Sequence, residues 1–134
     1  MTFILGLSLS ACADLDPFAG QTPEQRAASL ELVADQLVAE TNNDKGENIS
    51  GFVIRGASRK GKALTLSAYV HDAEIAEKMQ RNPEYSGGLV EASLAHSICK
   101  DATSRELLKA GYTIKSVFYS KGGSRLTDGK ISSC

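Results

Sequence analysis

Between positions 63 and 70 the chain reads Ala-Leu-Thr-Leu-Ser-Ala-Tyr-Val, with Leu64, Leu66, Ala68 and Val70 alternating against Thr65, Ser67 and Tyr69. A period of two puts every apolar side chain on one side of an extended backbone, so this segment is a strand with one buried face. Such a strand needs neighbours for its backbone hydrogen bonds and a layer over its apolar face. Upstream, 49–57 reads as a strand and Arg59-Lys60-Gly61-Lys62 as a turn, which together predict a hairpin. Downstream, 112–119 is rich in aromatic and β-branched residues and reads as a third strand. Lys121-Gly122-Gly123-Ser124 turns it, and 125–134 returns as a more polar fourth strand.

The covering layer is helical. Thr22-Pro23-Glu24-Gln25 presents an N-cap, a proline at the first helical position and a capping-box glutamine. Leu30, Val33, Ala34, Leu37 and Val38 follow at helical spacing, predicting a helix over 23–41 that ends in the polar run Asn42-Asn43-Asp44-Lys45-Gly46. Asp72 caps a second helix through Arg81, stopped by Asn82-Pro83. Gly87-Gly88 interrupts the next stretch, after which Leu89, Val90, Leu94 and Ile98 suggest a helix leading into Cys99. Asp101 or Thr103 caps another, with Leu107 and Leu108 apolar and Gly111 beyond its end. At 134 residues the chain is long enough for one domain and too short for two. The expectation is a single α+β domain, about four helices on a four-stranded sheet of two hairpins, antiparallel or mixed.

Net charge is −1, which argues against a nucleic-acid binder relying on a large positive field. The charge is uneven, however. Positions 13–50 hold eight Asp/Glu against Arg26 and Lys45, whereas 51–134 hold thirteen Lys/Arg against eight acids. Tryptophan is absent and aromatics total 6%, so no aromatic cage for a small molecule is advertised. Neither a small-molecule substrate nor a cofactor is expected.

The first eleven residues, MTFILGLSLSA, are apolar and too short to cross a bilayer, which takes about 20 residues. They match the apolar region of a secretory signal. Leu9-Ser10-Ala11-Cys12 then resembles a bacterial lipobox, in which small residues admit a peptidase and the cysteine thiol accepts a diacylglycerol. That resemblance implies a signal peptide over 1–11, a lipidated Cys12, a linker over 12–21 and a globular domain over 22–134. Several acyl chains, at about 0.8 kcal/mol per buried methylene, anchor stably where one chain is marginal. Ala13 rather than Asp after the cysteine points to the outer membrane, on its periplasmic face. No Lys or Arg precedes Cys12, a departure from the basic start of most signals. The competing reading makes Phe3 to Leu9 a buried strand or helix and Cys12 a core cysteine.

With Cys12 acylated, Cys99 and Cys134 remain as an even pair, which an oxidising compartment would join. On the chain-entropy estimate the closed loop contributes roughly 4 kcal/mol. No Cys/His spacing suggests zinc; His71 and His96 are far apart in sequence and expected to be surface or packing residues. No G-x-S-x-G elbow is present, and Gly56 to Gly61 lacks the Lys-Ser/Thr of a phosphate loop. The basic cluster Arg55, Arg59, Lys60 and Lys62 reads as solvated turn charge, with lipid headgroups or an acidic partner as the alternative. Without a catalytic set, the expectation is a binding protein rather than an enzyme, and an amphipathic helix laid in an apolar groove is one economical mode.

The order of parts carries a resemblance. A lipobox, a helix, a hairpin, Cys99 followed by a helix ending Leu107-Leu108-Lys109-Ala110-Gly111, a second hairpin over Gly122-Gly123 and a closing Cys134 look like the β-type pilotin lipoproteins of bacterial type II secretion systems. The similarity is one of layout over about 22–134. It implies a protein that binds the C-terminal segment of a secretin subunit, which turns helical on binding, and whose lipid carries the secretin to the outer membrane. Cys12 takes the lipid role and Cys99–Cys134 the disulfide role, and the helix faces around Leu89, Leu94 and Leu107 are the expected groove. The alternative is an envelope inhibitor or an exclusion lipoprotein, binding an incoming enzyme or conjugation component through Arg59–Lys62. A purely structural envelope lipoprotein is a third reading.

Overall fold

The computed structural model describes residues 16–134. Thr22 caps helix α1, Pro23–Asn43, through the reciprocal capping box with Gln25. The helix buries Leu30 and Ala34, with Val33, Leu37 and Val38 packed beside them, and ends two residues beyond the expected 41. Its last turn is tied to the sheet. The Asn42 amide accepts from the Ala57 N–H at 2.9 Å and donates to the Ala57 carbonyl at 3.1 Å, filling both of that residue's hydrogen-bonding groups on the outer edge of the strand Phe52–Lys60.

The sheet has five strands, not the four expected: β1 Asn48–Ile49, β2 Phe52–Lys60, β3 Ala63–Val70, β4 Thr113–Ser120 and β5 Arg125–Ile131. What reads as one strand over 49–57 is broken at Ser50-Gly51, where both residues have positive φ (53° and 89°). Two successive left-handed residues make the tight hairpin turn whose twist suits antiparallel strands, so Ile49 folds back onto Phe52. In turn β2 runs on to Lys60, through two positions assigned to the turn, and the chain reverses over Gly61 and Lys62 alone.

Spatial order follows chain order. All pairings are antiparallel except β3 with β4, which run parallel with Leu64 opposite Ile114 and Val70 opposite Ser120. A parallel pair needs a crossover. Helices α2 (Ala73–Arg81), α3 (Pro83–Ile98) and α4 (Ala102–Lys109) provide it. Asp72 caps α2 through the Glu74 and Ile75 N–H groups, and Asp101, not Thr103, caps α4 through the Ser104 N–H. Four helices are thus present among the described residues.

Gly87-Gly88 does not interrupt α3, which is continuous. The reason lies across the interface with β5. A Cβ on Gly87 would lie 2.6 Å from the Asp128 carbonyl oxygen, and one on Gly129 would lie 2.7 Å from the Glu91 nitrogen. Two facing glycines let helix and edge strand approach backbone to backbone, outweighing the roughly 1 kcal/mol that a mid-helix glycine costs.

The core is built on the sheet face carrying Leu64 and Ile114. Phe18, Leu30, Ala34, Leu107, Leu108, Tyr112 and Ile131 close around them. Phe18 lies within the stretch read as a linker, so that part of it is packed into the fold. Cys99, at the end of α3, is disulfide-bonded to Cys134 with a Cα–Cα distance of 5.9 Å, holding the last strand's tail to the helix layer.

Candidate binding cleft

The helices cover the sheet face unevenly. Where β3 and β4 begin, α1 and α4 seal it. Where they end, α2 and α3 stand off from it and leave a cleft of about 720 Å³. Its floor is Phe52, Ile54, Ser116 and Phe118, with the Phe52 and Phe118 rings edge to face at a centroid distance of 5.3 Å. Ile75 and Met79 form one wall, one turn apart on α2. The other side of α2 carries the exposed ion pair Glu77–Arg81, while Lys78, paired with Glu74, lies beside the apolar stripe that the helix presents to the cleft.

The opposite wall is α3, which contributes side chains from Tyr85 to Ser97. Twelve steps at 1.5 Å give a wall of about 18 Å, slightly more than three helical turns. Tyr85, Leu89 and Ile49, on the rim, are 70%, 56% and 54% exposed. Large apolar side chains gathered around one concavity mark an interaction site far better than the same residues scattered. Lys78 is the one charged residue lining the cleft.

A second concavity, at the hairpin end, is of different character. It is lined by Arg26, Arg59, Lys62, Glu106 and Lys109 around Tyr112. These charges already satisfy one another. Arg26 pairs with Asp16 and Glu106, Arg59 donates to Asp35 at 2.8 Å, Lys109 lies 3.0 Å from Glu106, and Lys62 Nζ donates to the Ala110 carbonyl at 2.7 Å. The Arg26 hydrogen bond, with help from the Phe18 N–H, holds the Asp16 carboxyl below the usual carboxylate range. Burial pushes the Tyr112 phenol above its ordinary value. Arg55 lies on the sheet face opposite the helices, 4.3 Å from the Tyr119 ring centroid and 5.5 Å from that of Tyr69. The basic cluster read from the sequence is therefore divided: Arg59 and Lys62 are engaged at the hairpin end and Arg55 is stacked on the far face.

Of the residues expected to form the groove, Leu89 stands on the cleft rim and Leu94 lines the α3 wall. Leu107 does not join them: it has 0% exposure and fills the core beneath α4. Phe52, Phe118, Ile75, Met79 and Tyr85 were missed. The Ile75/Met79 spacing is visible in the sequence, but pairing it with an unsealed strand end requires the fold. Cys12 lies outside the described residues. His71 and His96 are exposed, and among the described residues no group of three or more His, Cys, Asp or Glu is placed to hold a metal.

No protein-family model matches the chain, and no curated protein matches it in sequence. Two solved structures share its architecture. A candidate secreted protein from Pseudomonas aeruginosa superposes with a TM-score of 0.62 at 21% identity, over 84% of this chain and 95% of that one. The pilotin of the Vibrio vulnificus type 2 secretion system, EpsS, superposes with a TM-score of 0.58 at 14% identity, over 81% of this chain and 93% of that one. At these identities the likeness is one of fold.

Proposed function

We propose that this protein is a pilotin-like binding module of the bacterial envelope, anchored by lipid on Cys12 to the periplasmic face of the outer membrane. In this reading it takes the C-terminal segment of a secretin subunit into the α2/α3 cleft as a helix and aids that subunit's targeting. It works by binding, not turnover. The observation that carries the reading is an open apolar cleft, rimmed by Tyr85, Leu89 and Ile49, on a fold that superposes on a pilotin.

The form of the bound segment follows from what the sheet leaves available. Strand addition needs a free sheet edge. Here β1 and the Asn42 amide occupy one edge, and α3 lies against β5 at the other. An amphipathic helix needs only a groove, and a wall of about 18 Å suits roughly three turns with apolar side chains at i, i+3, i+4 and i+7. An acidic residue in the bound segment would meet Lys78.

The test is a fluorescence-anisotropy titration of a labelled secretin C-terminal peptide against the full chain. Saturable binding that is lost in Leu89→Asp, with the circular dichroism unchanged, supports the reading. No saturation up to about 1 mM, equivalent to about −4 kcal/mol, overturns it. The anchor is tested separately: Cys12→Ser should move the protein from the membrane to the soluble fraction, and unchanged fractionation would remove the lipid role.

A further inference from the structure

The segment just after the proposed lipid site is fastened to the body in two ways. Phe18 is buried in the core beside Leu30, Leu107 and Tyr112. Two residues earlier, Asp16 pairs with Arg26, which also pairs with Glu106 on α4, and accepts the Phe18 N–H at 2.9 Å. The Arg26 guanidinium lies 5.6 Å from the Phe18 ring centroid. Backbone bonds from Ala19 to Asp16 and from Gln21 to Phe18 fold the stretch into compact turns rather than a free tether.

This clamp sits at one end of the sheet and the cleft at the other. Leu64 and Ile114, in the same core cluster as Phe18, lie where β3 and β4 begin, beside Gly61 and Lys62. The cleft floor, Phe52 and Phe118, pairs with Val70 and Ala68 near the strand ends. From Leu64 to Val70 is about 20 Å at 3.3 Å per residue. Cys12, by contrast, is four residues from Asp16, at most about 14 Å of extended chain.

Resting on the lipid-anchor reading of Cys12, we infer that the hairpin end of the sheet is the membrane-facing surface, held against the lipid headgroups by the clamp, so that the cleft opens away from the bilayer. The attachment is by acyl chain rather than by charge, because Arg26, Arg59, Lys60, Lys62 and Lys109 are offset at that end by Asp16, Glu24, Glu31, Asp35 and Glu106. Orientation is therefore insensitive to salt. Without the clamp the tether would run from Cys12 to Thr22, ten residues reaching about 35 Å, and the body would turn freely.

The experiment uses the full lipidated chain in phospholipid vesicles carrying nitroxide-labelled headgroups, with a fluorophore on Lys60→Cys or on Leu89→Cys. The expected result is strong quenching at position 60 and near-background quenching at position 89, in low and high salt alike. Arg26→Ala should bring the two sites together, and so should a Gly/Ser insertion after Asp14, which lengthens the tether without touching the fold. Equal quenching in the unmodified chain, or stronger quenching at 89, overturns the inference. So does an acyl-free Cys12 by mass spectrometry, a result that leaves the cleft reading standing. Absence of peptide binding by the unlabelled, unsubstituted chain, with the quenching pattern intact, would remove the cleft reading alone.

Discussion

At the hairpin end of the sheet, Leu64 and Ile114 are 1% and 2% exposed beneath α1 and α4, whereas at the far end Phe52 and Phe118 are only half-buried and face Leu89 and Tyr85 across an open cleft. Both ends belong to the same apolar face of the same strands. Sealing a Leu or Phe contributes roughly 1.5–3 kcal/mol per side chain, so the open end forgoes stabilisation that the closed end secures. The closed end, with the Cys99–Cys134 bond, lets a chain of this size hold together while leaving apolar surface unspent. In the proposed reading, stability and recognition fall to different ends of one sheet.

The sharpest ways to break this division act on the closed end. Cys134→Ser should cost about 4 kcal/mol in chemical denaturation, since the loop it opens has a sequence separation of 35. Leu107→Ala, at a site with no exposure, should cost about 3 kcal/mol, within the range for cavity-forming leucine substitutions, and leave peptide affinity unchanged once the protein is folded. Outside the closed end, at the contact of α3 with β5, Gly87→Ala should cost about 2 kcal/mol, because its Cβ meets backbone at 2.6 Å rather than a side chain that can swing away.

Substitutions at the open end should invert the pattern. Tyr85→Ala should change stability by no more than about 0.5 kcal/mol, as exposed positions do. It should weaken peptide binding about tenfold or more in the same titration. A Tyr85→Ala variant that is strongly destabilised would mean the cleft is core after all. The smallest effects are on pH. Asp16 titrates below its ordinary 3.8, so its pairing stabilises the fold above that value and is lost as pH falls through the lowered one. Tyr112 is raised by burial, so its contribution is complete below about pH 10 and is lost as pH rises past it. Spectrophotometric tyrosine titration and acid unfolding check the two.

Much of the frame is legible in local signals. The capping box at Thr22, the alternation over 63–70 and the caps at Asp72 and Asp101 each act over a few residues, and each marks its element in the structure. The features that escape are those decided by distant contact. Ser50-Gly51 looks like part of a strand until both residues prove left-handed. Gly87 looks like a helix breaker until Gly129 is seen against the same helix. Leu107 and Leu89 are both apolar helix positions, and only the fold shows that one is sealed and the other bare. Of the cleft, only the α3 face around Leu89 and Leu94 is legible in the sequence, because the opposite wall and the floor come from a helix and strands whose approach to that face only the fold shows.

The central claim is that recognition occurs at the open end. Backbone amide chemical shifts of the full chain, recorded with and without the secretin C-terminal peptide, test it most directly. The account predicts shifts concentrated at 49–54, 75–79, 85–97 and 116–118, with 59–62 and 105–112 undisturbed. Shifts centred on Arg59–Lys62, with the cleft unchanged, would contradict it and move the binding surface to the hairpin end.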